Sequence, residues 1–176
     1  MKKLLETLKN GQVKPMILDT DVYNEIDDFY ALAYAMLSPE KVKLLAVTAA
    51  PFLNNRSTSA ADGMEKSYQE ALRVKGLADA NSTVPVYRGA TRFMTSKTDV
   101  VESEAVDTII RLVKESDETV YIVAIGAITN VASAILKNPQ IKENCVVVWL
   151  GGHGLHIPQG CTEFNMKQDI AAARSC

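Results

Sequence analysis

Long apolar runs and clusters of basic residues are both missing from this sequence of 176 residues. No apolar run approaches the roughly 20 residues that a membrane-spanning helix needs, so we expect no membrane partner. The 19 Lys and Arg residues are scattered among 21 Asp and Glu residues, which gives a net charge of -2 without a basic stripe. We therefore expect no nucleic-acid partner, because phosphate binding needs clustered positive charge. The composition favours a small, mostly neutral ligand.

Cysteines are also few, and they lack the spacing of disulfide pairs or metal ligands. Their number is odd, and the three are Cys145, Cys161 and Cys176. This pattern suits a reducing compartment. The first residues begin like a signal peptide, but Glu6 and Lys9 interrupt the apolar region before it reaches the required length. We therefore predict a cytoplasmic protein without an export signal.

Hydrophobic residues make up 47% of the chain, which is enough for the core of one domain spanning residues 1–176. They form short, continuous apolar runs bounded by polar turns. Such runs are typical of strands in a parallel sheet that is buried on both faces. The runs are Pro15–Leu18, Val42–Ala50, Val84–Tyr87, Thr119–Ile125 and Cys145–Leu150.

Apolar residues at helical spacing lie between several of these runs, and they predict helices over residues 26–37, 106–113 and 128–136. The resulting order is βαβαβαβαβ. Because parallel strands need a crossover to return the chain, we expect an α/β fold with an open, mostly parallel, doubly wound (Rossmann-like) sheet and helices on both faces. We interpret residues 88–101, which are polar and contain Gly, Thr and Ser, as a surface loop.

Carboxylates are concentrated directly after the first predicted strand, in ILDTDVYNEIDDFYAL. The ligand crevice of an open α/β sheet lies outside the carboxyl ends of its strands. Asp19 and Asp21 occupy alternate positions of the ending strand, and Asp27 and Asp28 begin the next helix. A helix dipole worth about 0.3–1 kcal/mol per charge cannot offset the repulsion among four partly desolvated carboxylates. Oxygen ligands without His or Cys nearby indicate a calcium or magnesium ion.

Each acid also has an ordinary explanation. Asp27 and Asp28 fit the first turn of any helix, and Asp19 fits a capping or turn position. The metal hypothesis depends on all four lying together after one buried strand.

The same segment resembles the leading motif of the inosine-uridine preferring nucleoside hydrolases, DxDPGxDDAxAL. Here it reads DTDVYNEIDDFYAL, so the turn over residues 22–26 is two residues longer and adds Asn24 and Glu25 as candidate ligands or substrate contacts. AIGAITNVASAIL is similar to the family's GPLTNxAxA, and WLGGHG…CTEFNMKQDIAAA resembles MGG…AEFNxxxDPxAA. The resemblance runs from about Pro15 to the last residue.

This resemblance implies the nucleoside hydrolase fold, lacking its carboxy-terminal part, and the hydrolysis of ribonucleosides to ribose and free base. It implies a site for Ca²⁺, with Mg²⁺ as the alternative. Asp21 is then a metal ligand and the general base, Asp28 a bidentate metal ligand, and Thr129 a ligand through its backbone carbonyl. Asp19 belongs to the same metal site and supports these ligands.

The resemblance also implies contacts with the ribose. Asp27 is expected to hold a ribose hydroxyl, and Glu163 and Asn165 are expected to hold the hydroxymethyl end. Asn54 or Asn55 replaces the asparagine that the family carries after its second strand, although TAAPFLNN does not align simply with the family's TTxxGN.

Members of this family are longer than 176 residues, and their later part contributes another aspartate ligand and often a histidine that protonates the leaving base. We therefore expect weak or no activity from this chain alone. A sheet without its later strands exposes an edge and apolar helix faces, which predicts a homo-oligomer.

Two other functions fit part of the pattern. A phosphohydrolase of the haloacid dehalogenase type also begins with an apolar strand followed by DxD, but Tyr23 stands where Thr or Val is expected, and Asp27 and Asp28 follow too early. A non-catalytic relative that binds ribose or metal is the third hypothesis. A comparison of the hydrolysis of p-nitrophenyl riboside with that of p-nitrophenyl phosphate distinguishes the nucleoside hydrolase from the phosphohydrolase.

Overall fold

The strands of this protein form one sheet in the computed structural model, which describes residues 11–154, 156–157 and 162–176. The sequence-based interpretations of the leading residues 1–10 and of Cys161 lie outside the described residues. The strands are β1 (Lys14–Thr20), β2 (Val42–Ala49), β3 (Val86–Tyr87), β4 (Val120–Ala124) and β5 (Cys145–Trp149).

Every strand pair of this sheet is parallel, and the order across it is β3-β2-β1-β4-β5. The chain runs outwards from β1 to β3, returns to the other side of β1 and continues to β5. This order confirms the predicted doubly wound sheet. It also creates a switch point between β1 and β4, where the loops leaving the two carboxyl ends diverge and a ligand crevice forms.

The three helices predicted from apolar spacing are confirmed, with boundaries that differ by one or two residues. The helices are α1 (Ile26–Met36), α2 (Ala60–Ala78), α3 (Glu104–Glu115), α4 (Thr129–Lys137), α5 (Phe164–Gln168) and α6 (Ile170–Ala173), with a 3₁₀ turn over Pro139–Glu143. No helix in the described ranges is long and apolar enough to cross a membrane.

Helix α2 is the longest helix of the described chain, with 19 residues, yet its apolar pattern is weak. Its buried face includes Gly63, Ser67 and Ala71, which are small or polar and give little hydrophobic signal. The small residues are required by close packing, since a Cβ at Gly63 would lie 2.0 Å from the carbonyl oxygen of Phe52. The better local signal is Ser59, whose hydroxyl accepts a hydrogen bond from the Asp62 backbone amide at 3.1 Å and caps the helix.

Two hydrophobic cores lie on opposite faces of the sheet. Adjacent residues of β1 divide between them, because successive side chains of a strand point to opposite faces. Ile17 packs with α3 and α4, and Leu18 packs with α1 and α2. Burial of each such side chain contributes about 1.5–3 kcal/mol, so the two faces together hold β1 at the centre of the sheet.

The segment between β3 and α3 contains no helix or strand, as predicted for residues 88–101. It is not a simple surface loop, however, because Ala90, Met94 and Val101 are buried in the core beneath α3 and α4. The Asp169 carboxylate accepts a hydrogen bond from the Met94 backbone amide at 2.9 Å, which ties this segment to the end of the chain.

Candidate metal and substrate site

Three aspartates are buried where β1 ends and α1 begins. Asp19, Asp21 and Asp28 are 0%, 1% and 2% exposed. Asp19 is the penultimate residue of β1, Asp21 follows the strand directly, and Asp28 lies in the first turn of α1. The sequence therefore predicted correctly that acidic side chains meet at this corner.

Asp19 is held between the ends of three elements. Its Oδ1 accepts hydrogen bonds from the Thr48 hydroxyl at 2.6 Å and from Nδ2 of Asn130 at 2.8 Å. Its Oδ2 is buried and has no hydrogen-bond partner among the described residues. Burial raises the pKa of Asp19 to about 6, although both hydrogen bonds oppose the shift.

Asp21 and Asp28 lie close enough to repel each other. Burial raises the pKa of Asp21 well above its usual value, and the negative charge of Asp28 raises it further. Burial also raises the pKa of Asp28 to about 7, against a hydrogen bond donated by the Thr20 hydroxyl. Nδ2 of Asn24 donates to Oδ2 of Asp21 at 3.0 Å. Ionising both carboxyls together is therefore costly unless positive charge is supplied.

Glu25 and Asp27 form a more exposed layer above the buried aspartates. One carboxylate oxygen each from Glu25, Asp27 and Asp28 lies within 4.8 Å of the other two. Burial raises the pKa of Glu25, and the charges of Asp27 and Glu163 add to the shift. The carboxylates that lie within ligand distance of one another are thus Glu25, Asp27 and Asp28, and Asp21 is close enough to Asp28 to repel it.

The loop after β4 contributes Gly126, and the start of α4 contributes Thr129 and Asn130. A Cβ at Gly126 would lie 2.8 Å from Oδ1 of Asp21, so a larger residue here would displace that carboxylate. The Thr129 hydroxyl donates to the Asp169 carboxylate at 2.7 Å, which fixes the start of α4. The proposed role of the Thr129 carbonyl as a metal ligand stays a prediction.

Asn130 joins the ends of three strands, and the sequence reasoning assigned it no role. Its Nδ2 donates to Asp19 and to the Ala49 carbonyl at 3.0 Å, and its Oδ1 accepts from the Ala90 backbone amide at 2.8 Å. The asparagine of AITNVASA was the available signal. Its function follows only from the strand order, which brings α4 against β1 and β2.

Glu163 and Asn165 lie beside the site and hold backbone groups. The Glu163 carboxylate accepts hydrogen bonds from the backbone amides of Gly152, Asn165 and Met166 at 2.7–2.8 Å, which caps α5. Nδ2 of Asn165 donates to the carbonyls of Ile125 and Leu150 at 2.8 and 3.0 Å, which joins the ends of β4 and β5. Their predicted contacts with ribose stay predictions.

Asn54 is the asparagine after β2 that reaches the acidic corner. Its Nδ2 donates to Oδ1 of Asn24 at 2.7 Å, while Asn55 is exposed. Asn54 therefore touches the longer turn, and its predicted contact with substrate is not tested by this geometry.

The residues at this corner fit a hard divalent cation. The donor groups are oxygens, and one buried oxygen, Oδ2 of Asp19, lacks a donor. Among the described residues, none of the ion pairs involves Asp19, Asp21 or Asp28. Buried carboxylates without a basic partner are costly, and coordination of a cation is one of the few ways to keep them ionised.

The fold and the site together define an α/β protein with a buried acidic corner at the switch point of a doubly wound sheet. The model of one family, "Inosine-uridine preferring nucleoside hydrolase", matches residues 16–176. The chain belongs to this family, whose members are metal-dependent.

Similar proteins include the pyrimidine-specific ribonucleoside hydrolase RihA of Enterobacter sp. (strain 638), which is 30% identical over 183 residues. That match covers 90% of this chain and 55% of the relative. The RihA protein of Klebsiella pneumoniae (strain 342) matches with the same identity and coverage. The chain thus spans about half the length of the curated relatives it matches.

Solved structures of nucleoside hydrolases are also similar to this chain. The purine-preferring ribonucleoside hydrolase from Gardnerella vaginalis is similar with a TM-score of 0.70 and 29% identity, over 91% of this chain and 56% of that one. A plant nucleoside hydrolase, PpNRh1, shares the fold with a TM-score of 0.66 and 24% identity, over 91% of this chain and 55% of the plant protein. These matches confirm the predicted family and do not favour the haloacid dehalogenase alternative.

Proposed function

We propose that this chain forms the metal-binding and ribose-binding part of a ribonucleoside hydrolase, which cleaves the N-glycosidic bond to give ribose and free base. The observation that carries the proposal is the burial of Asp19, Asp21 and Asp28 together, without a basic partner among the described residues, at the switch point of the sheet. The family supports the same activity, since RihA is described as a ribonucleoside hydrolase.

Cleavage of an N-glycosidic bond develops positive charge on the sugar ring, so a nearby group of carboxylates stabilises the transition state. A bound divalent cation supplies the charge that lowers the pKa of a nearby water and orients it. Asp21, Asp28 and the Thr129 carbonyl would hold the cation, and Asp19 would support them in the same metal site. Ca²⁺ is the proposed ion, because carboxylate and carbonyl oxygens in a flexible site suit it, and Mg²⁺ is the alternative.

Asp21 is the proposed general base. Burial and the charge of Asp28 raise the pKa of Asp21, which makes its carboxylate a stronger proton acceptor than that of an exposed aspartate. Asp27 is exposed beside the buried cluster, where it is accessible to a ribose hydroxyl. We assign Glu163 and Asn165 to contacts with the hydroxymethyl end of the ribose. Asn54 is assigned to a further contact with the substrate.

Asp21→Ala tests the metal and base roles together. We expect this variant to lose both calcium binding and any turnover, because it removes a ligand and the base. Isothermal titration calorimetry with calcium measures the first effect, and release of p-nitrophenol from p-nitrophenyl riboside measures the second. Calcium affinity equal to that of the parent chain contradicts the assignment.

Two substrates separate the proposed function from the other hypotheses. Turnover of p-nitrophenyl riboside, without turnover of p-nitrophenyl phosphate, supports the nucleoside hydrolase. Calcium binding with no turnover of either compound favours a ribose-binding or metal-binding relative. The preceding assays use the chain as it stands, for which we expect weak activity. The cytoplasmic location and the homo-oligomer stay predictions.

A further inference from the structure

Asn24 lies in the turn that is two residues longer than the family motif. Its side chain is only 5% exposed, and its backbone amide donates to the Asp21 carbonyl at 2.7 Å. The side-chain amide bridges two neighbours, since Nδ2 donates to Oδ2 of Asp21 at 3.0 Å and Oδ1 accepts from Nδ2 of Asn54 at 2.7 Å. Both ends of this amide are therefore occupied by protein groups.

The direction of this hydrogen-bond chain is determined at its two ends. At one end, the Arg56 backbone amide donates to Oδ1 of Asn54 at 2.8 Å, and a backbone N–H can only donate. Asn54 must then present its NH₂ group to Asn24, and Asn24 must present its own NH₂ group to Asp21. At the other end, an ionised carboxylate can only accept. Each amide orientation is thus specified, and Oδ2 of Asp21 accepts the last hydrogen bond of the chain.

The turn that carries Asn24 is anchored to the loop after β2. The guanidinium of Arg56 donates from Nη1 to the carbonyls of Asn24 and Tyr23 at 2.6 and 3.3 Å. Lys66 in turn donates to the Arg56 carbonyl at 2.8 Å. The rings of Tyr23 and Phe52 stack with their centroids 6.4 Å apart. The longer turn is therefore held in one place by contacts outside the acidic cluster.

We infer that Asn24 is a positioning residue for Asp21: it holds one carboxylate oxygen, Oδ2, and leaves the other, Oδ1, for the proposed cation. This inference rests on the proposed metal site. The sequence alone suggested that Asn24 could be an extra ligand or a substrate contact. The structure assigns it a different role, because its oxygen is bonded to Asn54 and its nitrogen to Asp21.

Calcium affinity of Asn24→Ala, measured by titration calorimetry, tests the inference without any activity assay. We expect the affinity to fall about 10-fold, the effect typical of losing a group that orients a metal ligand. The rise in melting temperature caused by saturating calcium is expected to shrink in parallel. A purely structural role would lower the melting temperature with and without calcium alike. Asn81→Ala, in the loop before β3 at the opposite end of the sheet, is the matched control and should bind calcium like the parent.

Two further variants keep the inference falsifiable if Asn24→Ala does not fold. Asn24→Asp has the same shape but replaces the donor by an acceptor, so we expect weaker calcium binding despite the added negative charge. A metal ligand at this position would instead bind calcium more tightly as aspartate. Asn54→Ala should also weaken binding, and the Asn24→Ala/Asn54→Ala double variant should be no weaker than Asn24→Ala, because Asn54 acts through Asn24.

The outcomes distinguish this inference from the proposed function. Calcium affinity equal to the parent in Asn24→Ala, or tighter in Asn24→Asp, overturns the inference alone. Weakened affinity in both variants of a chain that hydrolyses no nucleoside supports the inference and counts against the catalytic role. A parent chain that binds no calcium overturns both.

Discussion

The carboxylate of Asp19 is fully buried, and only one of its two oxygens has a hydrogen-bond partner among the described residues. Such a group is more costly to ionise in the folded chain than in water. Thr48 and Asn130 compensate part of this cost from one side. The remaining cost raises the pKa of Asp19, and this shift can be measured.

The stability of the metal-free chain should therefore depend on pH. The pKa values of Asp19 and Asp28 rise from 3.8 to about 6 and about 7, so the folded chain binds their protons more tightly than the unfolded chain does. Their contribution to stability is complete below about pH 4 and is lost as the pH rises through 6 and 7. We expect the free energy of unfolding to fall across this window by roughly 3 kcal/mol for Asp19 and roughly 4 kcal/mol for Asp28.

Urea unfolding between pH 4.5 and 8, with a chelator present, measures this slope. The variant Asp19→Asn should show a flatter slope, because its side chain does not titrate, and an unchanged slope would contradict the assignment. Asp99 does not interfere in this window. Hydrogen bonds from Arg92 lower the pKa of Asp99, so its stabilising contribution is lost only as the pH falls below the ordinary range of aspartate.

Gly126→Ala is a test of the crowding around Asp21. A Cβ at this position would lie 2.8 Å from Oδ1 of Asp21, so the carboxylate must move. We expect calcium affinity to fall by at least 10-fold, in line with the loss of ligand orientation. Gly76→Ala is the matched control, because its Cβ would meet nothing within 4 Å. That variant lies in α2 and should be stabilised by about 0.5–1 kcal/mol without a change in calcium binding.

At the scale of elements, α2 shows how a helix can form without a strong apolar stripe. Its close approach to Phe52 depends on Gly63, and its start depends on Ser59. The helix supports the site indirectly, since Lys66 on α2 donates to the carbonyl of Arg56, which anchors the turn after β1. Among the described residues, the start of α2 at Ser59 makes no such contact with the turn. We therefore expect a weaker start to α2 to affect stability rather than metal binding.

Ser59→Ala should lower the free energy of unfolding by about 1 kcal/mol, because the Asp62 backbone amide loses its acceptor. Urea unfolding measures the change. Ser59→Asp keeps an acceptor at the helix start and adds a favourable charge there, so it should match or exceed the parent. Equal losses in both variants would show that the hydroxyl does not act as a cap.

At the scale of the whole molecule, apolar side chains remain exposed on one side of the sheet. On α1, Ile26, Tyr30, Tyr34 and Leu37 are 63–75% exposed and follow one another at helical spacing. On and beside β5, Val148 and Leu150 are 48% and 55% exposed. Apolar surface at this density favours association, which agrees with the predicted homo-oligomer.

Self-association should be visible by sedimentation velocity at micromolar concentrations of the chain. We expect Tyr30→Glu combined with Tyr34→Lys to shift the chain towards monomer, because the pair adds charge to the exposed face of α1 without touching the core. Lys75→Glu on α2 is a control that changes surface charge elsewhere. A parent chain that is monomeric at these concentrations would contradict the prediction.

The sequence by itself determined the five strands, three of the helices, the alternating order and the position of the aspartates. These depend on local patterns: short apolar runs for strands, apolar spacing for helices, and the aspartates of DTDVYNEIDD placed directly after a buried strand. The family resemblance is likewise readable from three motifs in order, and the match over residues 16–176 confirms it.

Only the tertiary structure decided which side chains complete the site. Asn130 reaches Asp19 across 111 residues, Asn54 reaches Asn24 across 30, and the Asp169 carboxylate reaches the Met94 amide across 75. These contacts follow from the placement of β4 beside β1, and from the loop after β2 folding over the turn after β1. Local patterns do not encode that placement, because it results from the burial of both sheet faces together. The same burial raises the pKa values of Asp19 and Asp28, which no run of letters in the sequence shows.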